Sequence, residues 1–204
     1  MTSERSTGSM PRLTARGAAT RNRIVSAAAD LMYVQGVAGT SLGDVMTASG
    51  TGPSQLYHYF TDKDALVAEV VLTQIARMLE NQHRLLARVD SLRGLRRWRD
   101  AEVLEARGRR WQGCALGSLA SELSCRSESS RLALADAMGT WEGYLRGALQ
   151  RIQASGELRS DADPAMLAVG ILAALEGGLL LTETSHDPTR LEMALDAALL
   201  HLRA

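Results

Sequence analysis

Apolar positions recur every three or four residues along most of the chain, and this spacing predicts α-helices from end to end. The first apolar stripe runs over 24–34, with Thr20 as its candidate N-cap and Gly36 as the candidate left-handed residue at its end. No strand-like alternation extends over four residues. We therefore predict an all-α protein.

Two short helices with their own start and stop signals follow this stripe. Ser41 and Asp44 form a capping pattern that opens a helix ending near Ser49. Gly50 permits a turn with positive φ, and a proline at 53 opens a second helix over 53–59. A third capping pattern at 61–64 opens a long helix. Two short helices joined by a glycine turn between longer ones have the spacing of a helix-turn-helix.

The second short helix carries three of the eight aromatic residues of the chain within four positions. Leu56 and Phe60 are four residues apart and should share an inward face. Tyrosine and histidine are short, stiff donors suited to phosphate oxygens, and Ser or Gln near a helix N-terminus can reach base edges. The alternative is that the tyrosines fill a small core. Tyrosines two apart cannot both face inward on a helix, although one of them can still pack. The outward candidates are Ser54, Gln55, Tyr57, His58 and Tyr59.

Net charge predicts no global attraction to nucleic acid, because 23 basic residues balance 23 acidic ones. We predict a disordered tail over 1–19. The first 24 residues carry five Arg against one Glu, a local excess that suits a polyanion. A solvated leader without a role is the alternative.

The segment from Thr20 to Leu66 resembles the N-terminal domain of the TetR family of transcriptional repressors. The resemblance rests on LYHYF at 56–60, followed by Lys63 and Leu66, and on Thr-Ser at 40–41. It implies that the second short helix enters the major groove of double-stranded DNA. By the same resemblance Tyr57, His58, Tyr59 and Lys63 hold phosphates, Thr40 makes a further backbone contact, and Ser54 and Gln55 read bases. Ser41 is included among the DNA-binding residues. Gly43 and Pro53 depart from the usual polar positions of the family and reduce the available base contacts.

The resemblance also implies an organisation for the whole chain. A three-helix DNA-binding domain over 20–66 would precede a helical ligand-binding and dimerisation domain over 67–204, with about nine helices in total. The implied function is a ligand-responsive cytoplasmic regulator, by analogy a repressor, that binds a palindromic operator as a homodimer and is released by a small-molecule effector of unknown identity. The alternative from another class is a helical small-molecule-binding or interaction protein that does not bind DNA.

The C-terminal run from 163 resembles the dimer-forming helix pair of that family. Asp163-Pro164 and Asp187-Pro188 each combine an N-cap with proline at the first helical position. The segment 165–181 is apolar apart from Glu176, but we expect a core or subunit-interface helix rather than a membrane span. The predicted dimer residues are Gly170, Ala174, Gly177, Gly178, Leu191, Leu195 and Leu199.

The middle of the chain offers candidates for an effector pocket. A helix over 128–155 places Met138, Trp141 and Leu145 on one face, and Trp111 precedes it. Ordinary core packing remains the alternative for each of them. Cys114 and Cys125 lack CxxC spacing, so a reduced, structural thiol is favoured over a sensor.

We expect no enzyme, no cofactor and no metal site. The four histidines are scattered, and neither an HExxH motif nor a phosphate-cradling glycine loop occurs in the sequence.

Overall fold

The chain folds into a succession of helices in the computed structural model, which describes residues 14–108, 112–200 and 202. Within these residues there are nine α-helices and no extended strand, so the all-α prediction is confirmed. The helices are α1 Ala15–Gly39, α2 Leu42–Ser49, α3 Pro53–Tyr59, α4 Lys63–Leu86, α5 Leu92–Gly108, α6 Ala115–Leu123, α7 Glu128–Ala154, α8 Pro164–Ser185 and α9 Thr189–Leu199.

The start of α1 differs from the prediction. Its N-cap is Thr14, whose hydroxyl oxygen accepts a hydrogen bond of 3.2 Å from the Gly17 amide. Thr20 lies inside the helix and donates to the Arg16 carbonyl, so its predicted capping role was wrong. Residues 15–19 are helical, and the predicted tail boundary at 19 is therefore too late. Residues 1–13 lie outside the described part of the chain.

The apolar stripe of α1 and its end were also only partly predicted. Val34 is 69% exposed, whereas Val25 and Met32 are buried with Ile24. Gly36 has the expected positive φ of 77°, but its ψ of 166° lies outside the left-handed helical region. The helical turn resumes over 37–39, and the chain reaches α2 through Thr40.

The larger part of the molecule is built around α7, which packs against α4, α6 and α8. Trp141, Leu145 and Ile152 of α7 are buried in its core. α8 and α9 pack most closely of all: a Cβ on Gly178 would lie 2.9 Å from the Leu191 Cα. One continuous apolar core runs through these helices and through the N-terminal helices α1 to α3.

α9 begins one residue later than predicted and is tied to α5 by ion pairs. Pro188 occupies the N-cap position, and the Asp187 carboxylate accepts from the Thr189 amide at 3.0 Å. The Arg99 guanidinium lies 3.2 Å from Glu192 and 2.5 Å from Asp196. Arg99 also lies 2.9 Å from Asp100 of its own helix, so its guanidinium pairs both within α5 and with α9.

Candidate DNA-binding surface and effector cavity

Local features fix both ends of α2: a capping box at its start and a left-handed glycine at its end. Ser41 Oγ accepts from the Asp44 amide at 3.1 Å, and Asp44 Oδ2 accepts from the Ser41 amide at 2.9 Å, which completes the predicted capping box. The Ser41 hydroxyl, which donates to the Asp44 carboxylate, and next the Ser41 amide hold the pKa of Asp44 below its usual value. Gly50 then adopts the left-handed conformation, with φ 63° and ψ 34°.

α3 has an inward and an outward side, as its sequence predicted. Leu56 and Phe60 are buried, and the guanidinium of Arg21 lies 5.5 Å from the centre of the Phe60 ring. Pro53 is the first helical residue after the N-cap Gly52. A short helix with one packed face keeps the other face free for a partner.

The outward side of α3 brings together four of the predicted DNA-contacting residues. Ser54, Gln55, Tyr57 and His58 are exposed, Tyr57 to 54%. Tyr59 is half-buried, and its ring meets the His58 ring edge-on with centroids 4.8 Å apart. Lys63, half-buried, opens α4 four residues later.

The two residues before α2 are placed differently from one another. Thr40 is only 1% exposed, and its hydroxyl donates to the Gly36 carbonyl at 2.8 Å. Its side chain therefore fixes the turn before α2, and the expected contact of Thr40 with the DNA backbone stays a prediction. Ser41 is exposed, but its hydroxyl donates to Asp44 at 2.6 Å and is engaged in the cap.

A cavity of about 310 Å³ lies among α1, α4, α5, α7 and the start of α6. Trp141 lies on its wall and is buried, and its indole N–H has no hydrogen-bond partner among the described residues. Gln82 accepts from the Trp98 indole at 3.0 Å and donates to Glu102 at 2.8 Å. The cavity has the size of a small-molecule site with a few polar groups in an apolar wall.

The predicted pocket residues divide between this wall and the core. Trp141 reaches the cavity, whereas Leu145 is fully buried and Met138 packs against the core. Trp111 lies outside the described residues. Sequence reasoning missed Gln82 and other polar wall residues, although a glutamine within the apolar stripe of α4 was a usable signal. The missed wall residues include Asp30, Tyr33, Gln74, Gln82, Glu102 and Glu105.

A second, more open cavity of about 500 Å³ lies between α6 and α8. Burial, and next the nearby Glu176 carboxylate, raise the pKa of the Cys114 thiol. Burial likewise raises the pKa of Glu176, and a hydrogen bond with Cys114 opposes this in part. A thiol held in its protonated form is a poor nucleophile, which favours the structural interpretation of Cys114. The described residues contain no group of three His, Cys, Asp or Glu side chains arranged to hold a metal ion.

Two family profiles match the parts of the chain that carry these features. The profile of bacterial regulatory proteins of the tetR family matches residues 24–70, which contain α2 and α3. The profile of the tetracyclin repressor-like C-terminal domain matches residues 95–198, half of the chain. The chain belongs to the TetR family.

Individual TetR-family proteins are similar over most of their length. An uncharacterised HTH-type transcriptional regulator in the lacX 3′ region of Lactococcus lactis is 29% identical over 87% of this chain and 90% of its own. The transcriptional regulator AcuR of Cereibacter sphaeroides is 28% identical over 81% of this chain and 77% of its own. A regulatory protein TetR from Rhodobacter sphaeroides superposes with a TM-score of 0.82 at 20% identity, covering 90% of this chain and 98% of that chain. At this low identity, the similarity to the Rhodobacter sphaeroides protein shows a shared fold and nothing more.

This membership settles the broad class of the protein. It is a helix-turn-helix transcriptional regulator, and regulators of the TetR family are typically repressors with ligand-binding C-terminal domains. The family consists of DNA-binding regulators rather than enzymes, and its members are typically cytoplasmic. Within the described residues, α8 is the one helix long and apolar enough to cross a membrane by length and composition, a test that core helices also pass.

The predicted TetR-type dimer residues fall into two groups. Gly178, Leu191 and Leu195 are buried between α8 and α9 of the same chain, so they hold this pair together rather than face outward. Gly170 and Gly177 are exposed, and Ala174 and Leu199 are half-buried. Large apolar side chains missed by the prediction lie exposed on the same helix pair: Met166, Val169, Leu180, Leu181, Met193 and Leu200.

Proposed function

We propose that this protein binds a palindromic operator as a homodimer, represses transcription there, and is released when a small molecule occupies the cavity beside Trp141. The outward face of α3 carries this proposal. Ser54 and Gln55 lie in its first turn, Tyr57 and His58 lie in its second, and Lys63 opens the following helix. Such an arrangement can present base-reading groups and phosphate-holding groups to one major groove.

The homodimer is supported by the apolar surface of α8 and α9. Soluble monomers rarely expose contiguous apolar patches of this kind, and a two-fold contact would cover the same surface on both copies. Two recognition helices related by this symmetry would reach successive major grooves about 34 Å apart. We place the protein in the cytoplasm and propose no catalytic role for it.

The proposed release is a shift in population between two arrangements of the helical domain. An effector that binds one arrangement more tightly changes the separation of the two recognition helices. DNA binding then weakens by the differential affinity of the effector for the two arrangements, and DNA weakens effector binding by the same factor.

The decisive experiment is fluorescence anisotropy of the protein with the duplex upstream of its own gene and with an unrelated duplex, at several salt concentrations. Preferential binding, with log affinity falling linearly against log salt, is the expected result. A parallel selection of bound sequences from random duplexes would detect an operator that lies away from the gene. Equal, weak binding to every duplex would overturn DNA recognition and favour a helical small-molecule-binding protein.

A further inference from the structure

The end of α1 is capped by a side chain from the other domain. The Glu122 carboxylate of α6 accepts hydrogen bonds from the Val37 amide at 2.9 and 3.1 Å and from the Ala38 amide at 3.2 Å. These amides open the short turn that follows the break at Gly36. The first amides of a helical turn have no partner within it, and a carboxylate there makes charge-assisted bonds.

Gly36 is shaped to receive this carboxylate. Its φ of +77° is strained for any residue with a side chain. A Cβ at this position would also lie 2.8 Å from Glu122 Oε1, a distance that forces the carboxylate away. Both the conformation and the missing side chain of Gly36 therefore serve the contact with α6.

The capped turn leads directly into the helix-turn-helix. Thr40 follows it, with its amide donating to the Val37 carbonyl at 3.4 Å and its hydroxyl to the Gly36 carbonyl at 2.8 Å. Ser41, the N-cap of α2, is the next residue. A displacement of the turn over 37–39 is thus passed to Thr40 through these hydrogen bonds and from Thr40 to the N-cap of α2 through a single peptide bond.

The other end of α6 forms part of the effector cavity. Ala115 and Leu116 line that cavity together with Trp141. Glu122 lies seven residues further along, about 10 Å at the rise of an α-helix. We infer that Glu122 is the positioning residue through which α6 sets the helix-turn-helix, so that a change at the cavity wall reaches DNA through the cap on Val37 and Ala38. This inference rests on the proposed function.

The first test compares Glu122→Gln with a matched control, Glu157→Gln. Glu157 also caps a distant helix start, accepting from the Leu92 amide at 2.9 Å, but it does so at α5. We expect Glu122→Gln to speed amide exchange over 36–41 and to weaken binding to the upstream duplex by about 5-fold or more, within the usual range of coupling energies. Glu157→Gln should change neither. Unchanged exchange and affinity in folded Glu122→Gln would overturn the inference.

The second test separates signal transfer from simple stabilisation. Ala115→Leu adds volume at the cavity wall and stands in for an occupant. We expect Ala115→Leu to weaken DNA binding in the wild-type background but much less in the Glu122→Gln background, because the contact between Glu122 and the end of α1 is already weakened there. Additive effects would overturn the inference. If the protein binds no duplex specifically, the proposed function fails. The inference about Glu122 is then judged by amide hydrogen exchange, which Ala115→Leu should speed over residues 36–41. An unchanged exchange rate there would overturn the inference.

Discussion

Tyr57 and Tyr59 lie two residues apart on α3, and their surroundings differ accordingly. Tyr57 is 54% exposed, whereas Tyr59 is half-buried and packs against the core. A tyrosine has few rotatable bonds, so its hydroxyl can contact a phosphate at small entropic cost. The structure thus reconciles both sequence interpretations: one tyrosine faces outward and the other contributes to packing.

We expect the polar groups on and beside α3 to differ in what they contribute to DNA binding. Tyr57→Phe removes one hydroxyl and should weaken binding to all duplexes by roughly five- to tenfold. Lys63→Ala should lower the slope of log affinity against log salt by about one, since it removes one phosphate contact. Gln55→Ala should instead change the preferred sequence. Anisotropy titrations against operator variants measure all three, and a uniform loss from Gln55→Ala would contradict its role as a base reader.

A pH dependence of stability follows from the buried carboxyl of Glu176. Its pKa is raised in the folded protein, mainly by burial, so the folded state binds a proton more tightly than the unfolded chain. Stability therefore falls as pH rises from the ordinary carboxyl range through the raised pKa. Glu176→Gln should have a higher Tm than the wild type at pH 7, and the difference in Tm between the two proteins should become smaller towards pH 5. Parallel thermal melts across this range measure it, and a pH-independent gap would contradict the argument.

At the scale of elements, α2 and α3 were predicted with their observed bounds because their signals are local. Ser41 with Asp44, Gly50 and Pro53 fix helix ends through contacts within a few residues. The start of α1 was missed because Thr14 and Thr20 are both plausible caps and the apolar stripe begins only at 24. The first two turns of α1 precede the buried residues, so hydrophobic periodicity could not detect them.

The capping box of α2 should have a measurable effect on stability. Ser41→Ala removes the side-chain acceptor of the Asp44 amide, and the loss of such a cap costs about 1 kcal/mol. Denaturant unfolding measures this change, with Ser54→Ala as the control because the described residues provide Ser54 with no hydrogen bond. Equal stability of the two variants would show that the cap is not significant for folding.

At the scale of the whole molecule, prediction failed where distant elements converge. Gln82, Glu102 and Trp141 belong to three helices, and only tertiary packing brings them to one cavity. The α8 and α9 stripes were recognised as apolar, but the sequence could not indicate which residues face each other within the chain. Gly178 packs against Leu191 within one chain. The subunit contact is therefore expected at the exposed apolar residues of α8 and α9 instead.

The exposed apolar side of α8 offers the sharpest test of assembly. Leu181 is 54% exposed there, and Leu181→Arg would place a charge in the proposed two-fold contact without disturbing the protomer core. Leu72→Arg on α4, where the leucine is 55% exposed, is the matched control. Sedimentation should give a monomer for Leu181→Arg and a dimer for the control. Because a monomer engages one half-site, its operator affinity should fall by roughly a hundredfold or more. A dimeric Leu181→Arg with full affinity would place the subunit contact elsewhere.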